Sequence, residues 1–333
     1  MTLYQAPYLV SQFGMPLYGI SGMPPFTGNY YWVNATTGND GNTGGPQDPF
    51  ATLTQALAMC TAGNNDVVFV TGTIHLSATL HWSKANTHLV GLCSPLRRGK
   101  RARISNLSAT ATPFTPLVDF NGGQCWVKNI QTFYGFSGSA TNNTVANSIT
   151  STHNVFDNVE FLGFGDATVS TGTAVQTGAR ALVIGTASTL GSGDENSFYH
   201  CVFGADTEAR NATNYTLEFA AGSGSARNYF EDCDFEALLG SSGTAAAHLL
   251  TGANSVDRYT NFVHCRFHNS ANSGGSTMAQ LAVLNASQGG DFLFDQSPFT
   301  SPGITALETT PTNQVYVNGP VNTSTTSCKA IYN

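Results

Sequence analysis

Charge is what this chain of 333 residues has least of. It carries 13 Lys and Arg against 20 Asp and Glu, 10% of the sequence, where an ordinary soluble domain has about 25%. No apolar run reaches the roughly 18 residues of a membrane-spanning helix, so membrane insertion by helices is excluded. The opening residues, MTLYQAPYLVSQFGMPLYGISGMPP, lack the basic start and the apolar stretch of a secretion signal, and synthesis in a cytoplasm is expected. Asn211-Ala-Thr and Asn285-Ala-Ser then read as chance products of an Asn- and Thr-rich chain. Seven cysteines, odd in number and widely spread, do not form a disulfide framework, and no C-x-x-C pair suggests zinc. Free thiols, no metal and no cofactor are expected. Hydrophobic residues make up 41% and aromatics 11% of the chain, enough for a sizeable core and too much for disorder.

The apolar residues recur at a fixed distance. Phe198-x-x-Cys201-x-Phe203, Phe230-x-x-Cys233-x-Phe235, Phe262-x-x-Cys265-x-Phe267 and Phe294-x-x-Ser297-x-Phe299 begin 32 residues apart. Looser copies precede them at Phe156-x-x-Val159-x-Phe161 and at Val127-x-x-Ile130, followed by Thr132 and Phe133. Between copies a second apolar segment returns as Leu182/Ile184, Leu217/Phe219, Leu249, Leu281/Val283 and Val315/Val317. Each repeat therefore holds at least two short strands between Gly-, Ser- and Asn-rich turns. The first Phe and the Cys are three apart, where one strand would place inward residues two apart, so the chain bends between them. The residue before the Cys position reads Asn129, Asn158, His200, Asp232, His264 and Gln296. Asn, Asp and His are the non-glycine types that best tolerate a left-handed corner.

This pattern resembles the right-handed, single-stranded parallel β-helix of the pectin-lyase-like superfamily, over roughly residues 30 to 320. The resemblance implies an all-β solenoid of some nine rungs, a rod of roughly 40 Å. Further strands are expected at Asp66–Val70, His88–Leu92 and Leu117–Phe120, and long insertions around 135–152, 164–178 and 186–194. Upstream, the G-N-D-G-N-x-G turn precedes a short helix that closes the open end of the stack. Asp48 is its expected cap and Pro49 its first turn, Phe50, Leu53, Leu57 and Cys60 line one face, and Gly63 ends it.

Three segments follow: an extended arm over 1–28, a lead-in with its capping helix over 29–63, and the β-helix over 64–333. The arm spaces Tyr4, Tyr8, Phe13, Tyr18 and Phe26 among Pro and Gly with no period of its own. It reads as an anchor ordered on another chain. Five of the positive charges, Arg97, Arg98, Lys100, Arg101 and Arg103, fall within seven residues. Such a run either grips an anionic partner or is a solvated loop. A chain of net charge -7 is a poor nucleic-acid binder.

His200, Asp232 and His264 stack on successive rungs and suggest a metal site or a His–Asp pair, but the corner backbone selects these residue types by itself. The three Cys fill the neighbouring inward column. Glu231, Asp232 and Asp234 form the densest acidic patch, and paired carboxylates are what glycoside hydrolysis requires. Strand alternation instead points Asp234 outward, with Arg266 one rung above it and Val202 and Glu160 below, an inter-rung ion pair. The acidic calcium cluster and Gly-His-Gly of the family's enzymes are absent, so no catalytic residue is assigned. Two readings remain. The leading one is a tailed-phage virion protein, a trimeric capsid decoration or spike held by its arm to capsid or other virion proteins. The alternative is a tailspike-type depolymerase, a hydrolase or lyase, acting on a host surface glycan.

Overall fold

The computed structural model describes residues 28–107, 112–136, 145–164, 177–241, 243, 245–270, 275–298, 304–308 and 314–318, together with the backbone of the strands Ser11–Gln12, Met15–Pro16 and Lys329–Ala330. The arm aromatics Tyr4, Tyr8, Phe13, Tyr18 and Phe26 lie outside these residues, as does Phe299. Three parallel sheets form the body, and successive turns of the chain add strands to each in order. The first sheet has eleven strands from Tyr30–Asn34 to Lys329–Ala330. The second has seven, from Thr73–Leu76 to Arg266–Asn269, and the third seven, from Leu80–Trp82 to Ala282–Val283. This is a parallel β-helix. Eleven strands at about 4.8 Å give a first sheet about 48 Å long. It exceeds the nine expected rungs by two strands, and is closed by Tyr30–Asn34 at one end and Lys329–Ala330 at the other.

The 32-residue period is one rung. Phe198 pairs in register with Phe230, Phe230 with Phe262 and Phe262 with Phe294. Their rings stack with centroids 4.4, 4.8 and 4.8 Å apart. Phe203, Phe235 and Phe267 make a second stack at 4.7 and 4.5 Å, and the two stacks meet edge to face. Such offset and edge contacts suit the ring quadrupole, so aromatic columns stabilise the interior beyond their buried area. The third column is polar but satisfied. Cys201, Cys233 and Cys265 are fully buried and direct Sγ to the carbonyls of Phe156, Phe198 and Phe230. Ser297 continues that bond, donating Oγ to Phe262 at 3.0 Å. The thiols act as small hydrogen-bonding fillers.

All six residues of the expected corner column have positive φ, from 44° at Gln296 to 55° at Asn129 and His200. A second column with the same handedness, Asn86, Gln124, His153, Glu195 and Arg227, turns the chain into the first sheet. It has no fixed residue type, since Gln, Glu and Arg stand beside Asn and His, and so leaves no sequence signal. Beside it Asn154, Asn196 and Asn228 build a buried ladder in which each Oδ1 accepts the backbone N–H of the rung before.

Four expectations change. Thr52, not Asp48, caps the helix Leu53–Met59, accepting from the Gln55 N–H at 3.1 Å. Asp48 instead holds Thr43, while Asp40 takes the Ala51 and Thr52 N–H groups. The helix ends at Cys60, before Gly63. Val145–Ile149, expected within an insertion, is a third-sheet strand. Val315–Asn318 adds to the first sheet beside Gly289–Asp295, not to the third. There Leu281 and Ala282 donate instead to the carbonyls of Ala306 and Leu307.

Candidate functional site

The bend between first- and second-sheet strands takes one or two residues at every rung except one. After Gly91, residues 92–102 leave the body before the second-sheet strand Arg103–Asn106 begins. The excursion runs along the outer wall of the second sheet, where register stacks Gln131, Glu160, Val202, Asp234 and Arg266 in one column. Its tip reaches the Asp234 rung: Arg97 Nε lies 2.7 Å from Asp234 Oδ2, and Arg98 pairs with Glu236 and with Asp206 at 3.4 Å. On the way back the Gly99 N–H donates to Glu160 Oε2 at 2.9 Å. Lys100 is buried beneath the strap and donates to the Arg97 carbonyl at 2.6 Å. Burial pushes the Lys100 ammonium below its usual range, with Glu160 opposing. Arg103 bonds to Gln131 Oε1 and places its guanidinium 5.3 Å over the Phe133 ring, and Arg101 is exposed. The run is thus an exposed strap, two of whose arginines fold onto the chain's own carboxylates.

The acidic candidates separate by environment. Asp234, 7% exposed at its side chain, is bracketed by Arg97 and by Arg266 at 3.1 Å, the inter-rung pair that strand alternation implies. Glu236 is equally enclosed by Arg98 and Arg266. Glu231, on the outer face of the first sheet, accepts the Tyr229 hydroxyl at 3.1 Å; burial first and this carboxylate second push the Tyr229 phenol up to about 12. Asp232 stands at the corner, 45% exposed, with His200 Nε2 and His264 Nδ1 each 3.9 Å away.

One carboxylate was missed by the sequence reading. Asp157 lies 3.4 Å from His200 Nδ1 and pairs with Lys128. Its signal was available: it precedes the left-handed Asn158 and shares an outward column with Lys128, Tyr199 and Glu231. Asp157 and Asp232 therefore bracket one imidazole, at 3.4 Å from its Nδ1 and 3.9 Å from its Nε2. Among the described residues no three His, Cys, Asp or Glu side chains converge as a metal site.

These groups open onto a groove of about 800 Å³ between strap and body, lined by Leu92, Cys93, Pro95, Arg97, Lys128, Asp157 and His200 among others. Two smaller hollows continue it along the rod. One, of about 290 Å³, lies among Arg97, Asp232, Asp234, His264 and Arg266. The other, of about 270 Å³, lies on the first sheet by Asn261, Asp295 and Tyr316.

No family model and no curated protein matches the sequence. Solved structures do match the fold. A pectin methylesterase mutant in complex with a hexasaccharide superimposes with TM-score 0.55 at 12% identity, over 90% of this chain and 92% of that one. A rhamnogalacturonan lyase gives 0.51 at 13%, over 87% and 73%. The pectin methylesterase PemA from Erwinia chrysanthemi gives 0.46 at 13%, over 91% and 93%. At such identities the likeness of the first two establishes the parallel β-helix and leaves activity to the site.

Proposed function

We propose that the protein binds an extended polysaccharide along the groove and cleaves it, the depolymerase reading, with Asp157 and Asp232 as the working carboxylates. The observation that carries this is the Asp157–His200–Asp232–His264 row opening onto a line of hollows that spans several rungs. A run of that length suits a polymer better than a small molecule. One carboxyl group gives its proton to the leaving oxygen while the other, as carboxylate, takes a proton from the attacking water. Tyr199 and Tyr229, 6.0 Å apart on the adjoining face, supply ring surface of the kind sugars pack against. The fold neighbours named for a pectin esterase and a lyase agree with a polysaccharide ligand.

A second reading, a capsid-attached trimeric spike or decoration held through the arm, is favoured by one observation. Asp234 and Glu236, both enclosed, are neutralised internally, as in a wall built for rigidity. The test is incubation of purified protein with a panel of bacterial surface polysaccharides, products being read by mass spectrometry. Hydrolysis adds water across the bond, and elimination leaves an unsaturated sugar. Cleavage lost in Asp157→Asn and Asp232→Asn with binding kept supports the proposal. Neither binding nor cleavage of any glycan, with attachment to virus particles instead, overturns it in favour of the second reading.

A further inference from the structure

We propose that residues 92–102 form a charge-latched lid that, when closed, walls the groove and hides the carboxylates Asp234 and Glu236, and when open presents them to ligand. This rests on the groove being the working site. The base of the excursion is tied by backbone bonds, Leu92 N–H to the Val70 carbonyl and the Ala102 carbonyl to Gln131 N–H. The tip has no apolar anchor: Leu96 is 54% exposed, and residues 94–99 are all exposed. What holds it is the set of guanidinium contacts, Arg97 to Asp234 and to the Asp232 carbonyl, and Arg98 to Asp206 and Glu236, together with the Gly99 N–H on Glu160. Both arginines keep more than two fifths of their side-chain surface in solvent, so added salt screens this latch where it leaves the apolar core intact. Lifting the tip removes Leu92, Cys93, Pro95 and Arg97 from one wall of the groove. It also uncovers Asp234 and Glu236, which are then left with Arg266 alone.

The chain carries its own reporter. Cys93 lies on the lid, its Sγ 3.6 Å from the Asn129 carbonyl, and it alone among the described cysteines is not buried. Its labelling by a thiol reagent reads opening directly, with Cys93→Ser identifying its phase. The rate should rise with salt, and about fivefold or more in the double variant Arg97→Gln/Arg98→Gln, since each of these partly exposed pairs shifts such an equilibrium by up to about that factor. Asp234→Asn, checked for folding by circular dichroism, should do the same from the other side. Labelling that is indifferent to salt and to both variants overturns the lid. If labelling responds but no polysaccharide binds, the lid stands and the groove reading fails. If polysaccharide binds equally fast to wild type and to the Arg double variant, closure does not obstruct the site and the proposal is refuted.

Discussion

Phe230→Ala tests the repeat at its centre. The ring is fully buried, stacked 4.4 Å from Phe198 and 4.8 Å from Phe262, with Phe203 and Phe235 at 5.8 and 5.9 Å. Truncating a buried Phe to Ala costs about 3–5 kcal/mol through lost transfer energy and the cavity left behind. Because this ring has two stacked neighbours, each worth about 0.5–1.5 kcal/mol, the upper part of that range is expected. Phe294, at the end of the stack, lies on Phe262 and faces Val317 on the next rung. Its truncation should cost about 1 kcal/mol less, the value of the missing ring pair. The measurement is urea unfolding of the two variants and wild type, comparing midpoints where the slope is unchanged. In a solenoid each rung is held by its neighbours, so a central lesion propagates both ways and an end lesion only one. A cost below about 1.5 kcal/mol at Phe230, far under the usual range, or a larger cost at Phe294, would refute the column as the main source of stability.

Stability should also depend on pH through His88. Burial is the main cause of its pKa falling from 6.5 to about 4, and neutral Nδ1 accepts the Trp126 N–H at 3.0 Å. The unfolded chain takes up a proton that the folded one refuses, so stability is full above pH 6.5 and declines as pH falls towards 4. The loss is about 3 kcal/mol, seen as a midpoint shift that His88→Gln should flatten. Asn196→Ala leaves the Asn154 N–H and amide without their acceptor and should lower stability by roughly 2–4 kcal/mol in the same assay. Cys201, Cys233 and Cys265 should resist thiol reagents in the native state at pH 8, since burial holds the Cys233 thiol well above its usual range; rapid labelling of any of them would contradict the inward column. Cys265→Ser should be tolerated within about 1.5 kcal/mol, because Ser297 already makes the equivalent bond and the volume change is small.

The rungs were legible because a repeat multiplies weak evidence. One Phe-x-x-Cys-x-Phe is ambiguous, whereas four at one spacing, with a left-handed-tolerant residue inside each, leave little but a bend between two strands. The same logic explains the misses. The second corner column admits Gln, Glu and Arg, because its direction is imposed by the hydrogen bonds of flanking rungs, and nothing in residue type marks it. Thr52 and Asp48 are both competent caps. Only the fold of the G-N-D-G-N-x-G turn, which draws Asp48 to Thr43, decides between them.

The site was harder to read, because function lies where the period breaks. Asp234 and Arg266 follow from register, but Arg97 meets Asp234 across 137 positions of sequence, and no spacing rule links them. The five clustered positive charges and the dense acidic patch looked like two separate candidates, each open to an outside partner. Folded, they are largely one object: two of the positive charges lie on carboxylates that the repeat places four strands away along the second sheet. That pairing removes Asp234 and Glu236 from the set of ready catalytic acids. It leaves Asp157 and Asp232, whose carboxylates pair with no guanidinium among the described residues. A chain so poor in charge concentrates much of it along one edge of one sheet, with the longest bend of that corner folded over it. An inert wall has no evident need of that arrangement, whereas a groove that stays walled until ligand arrives has a direct use for it.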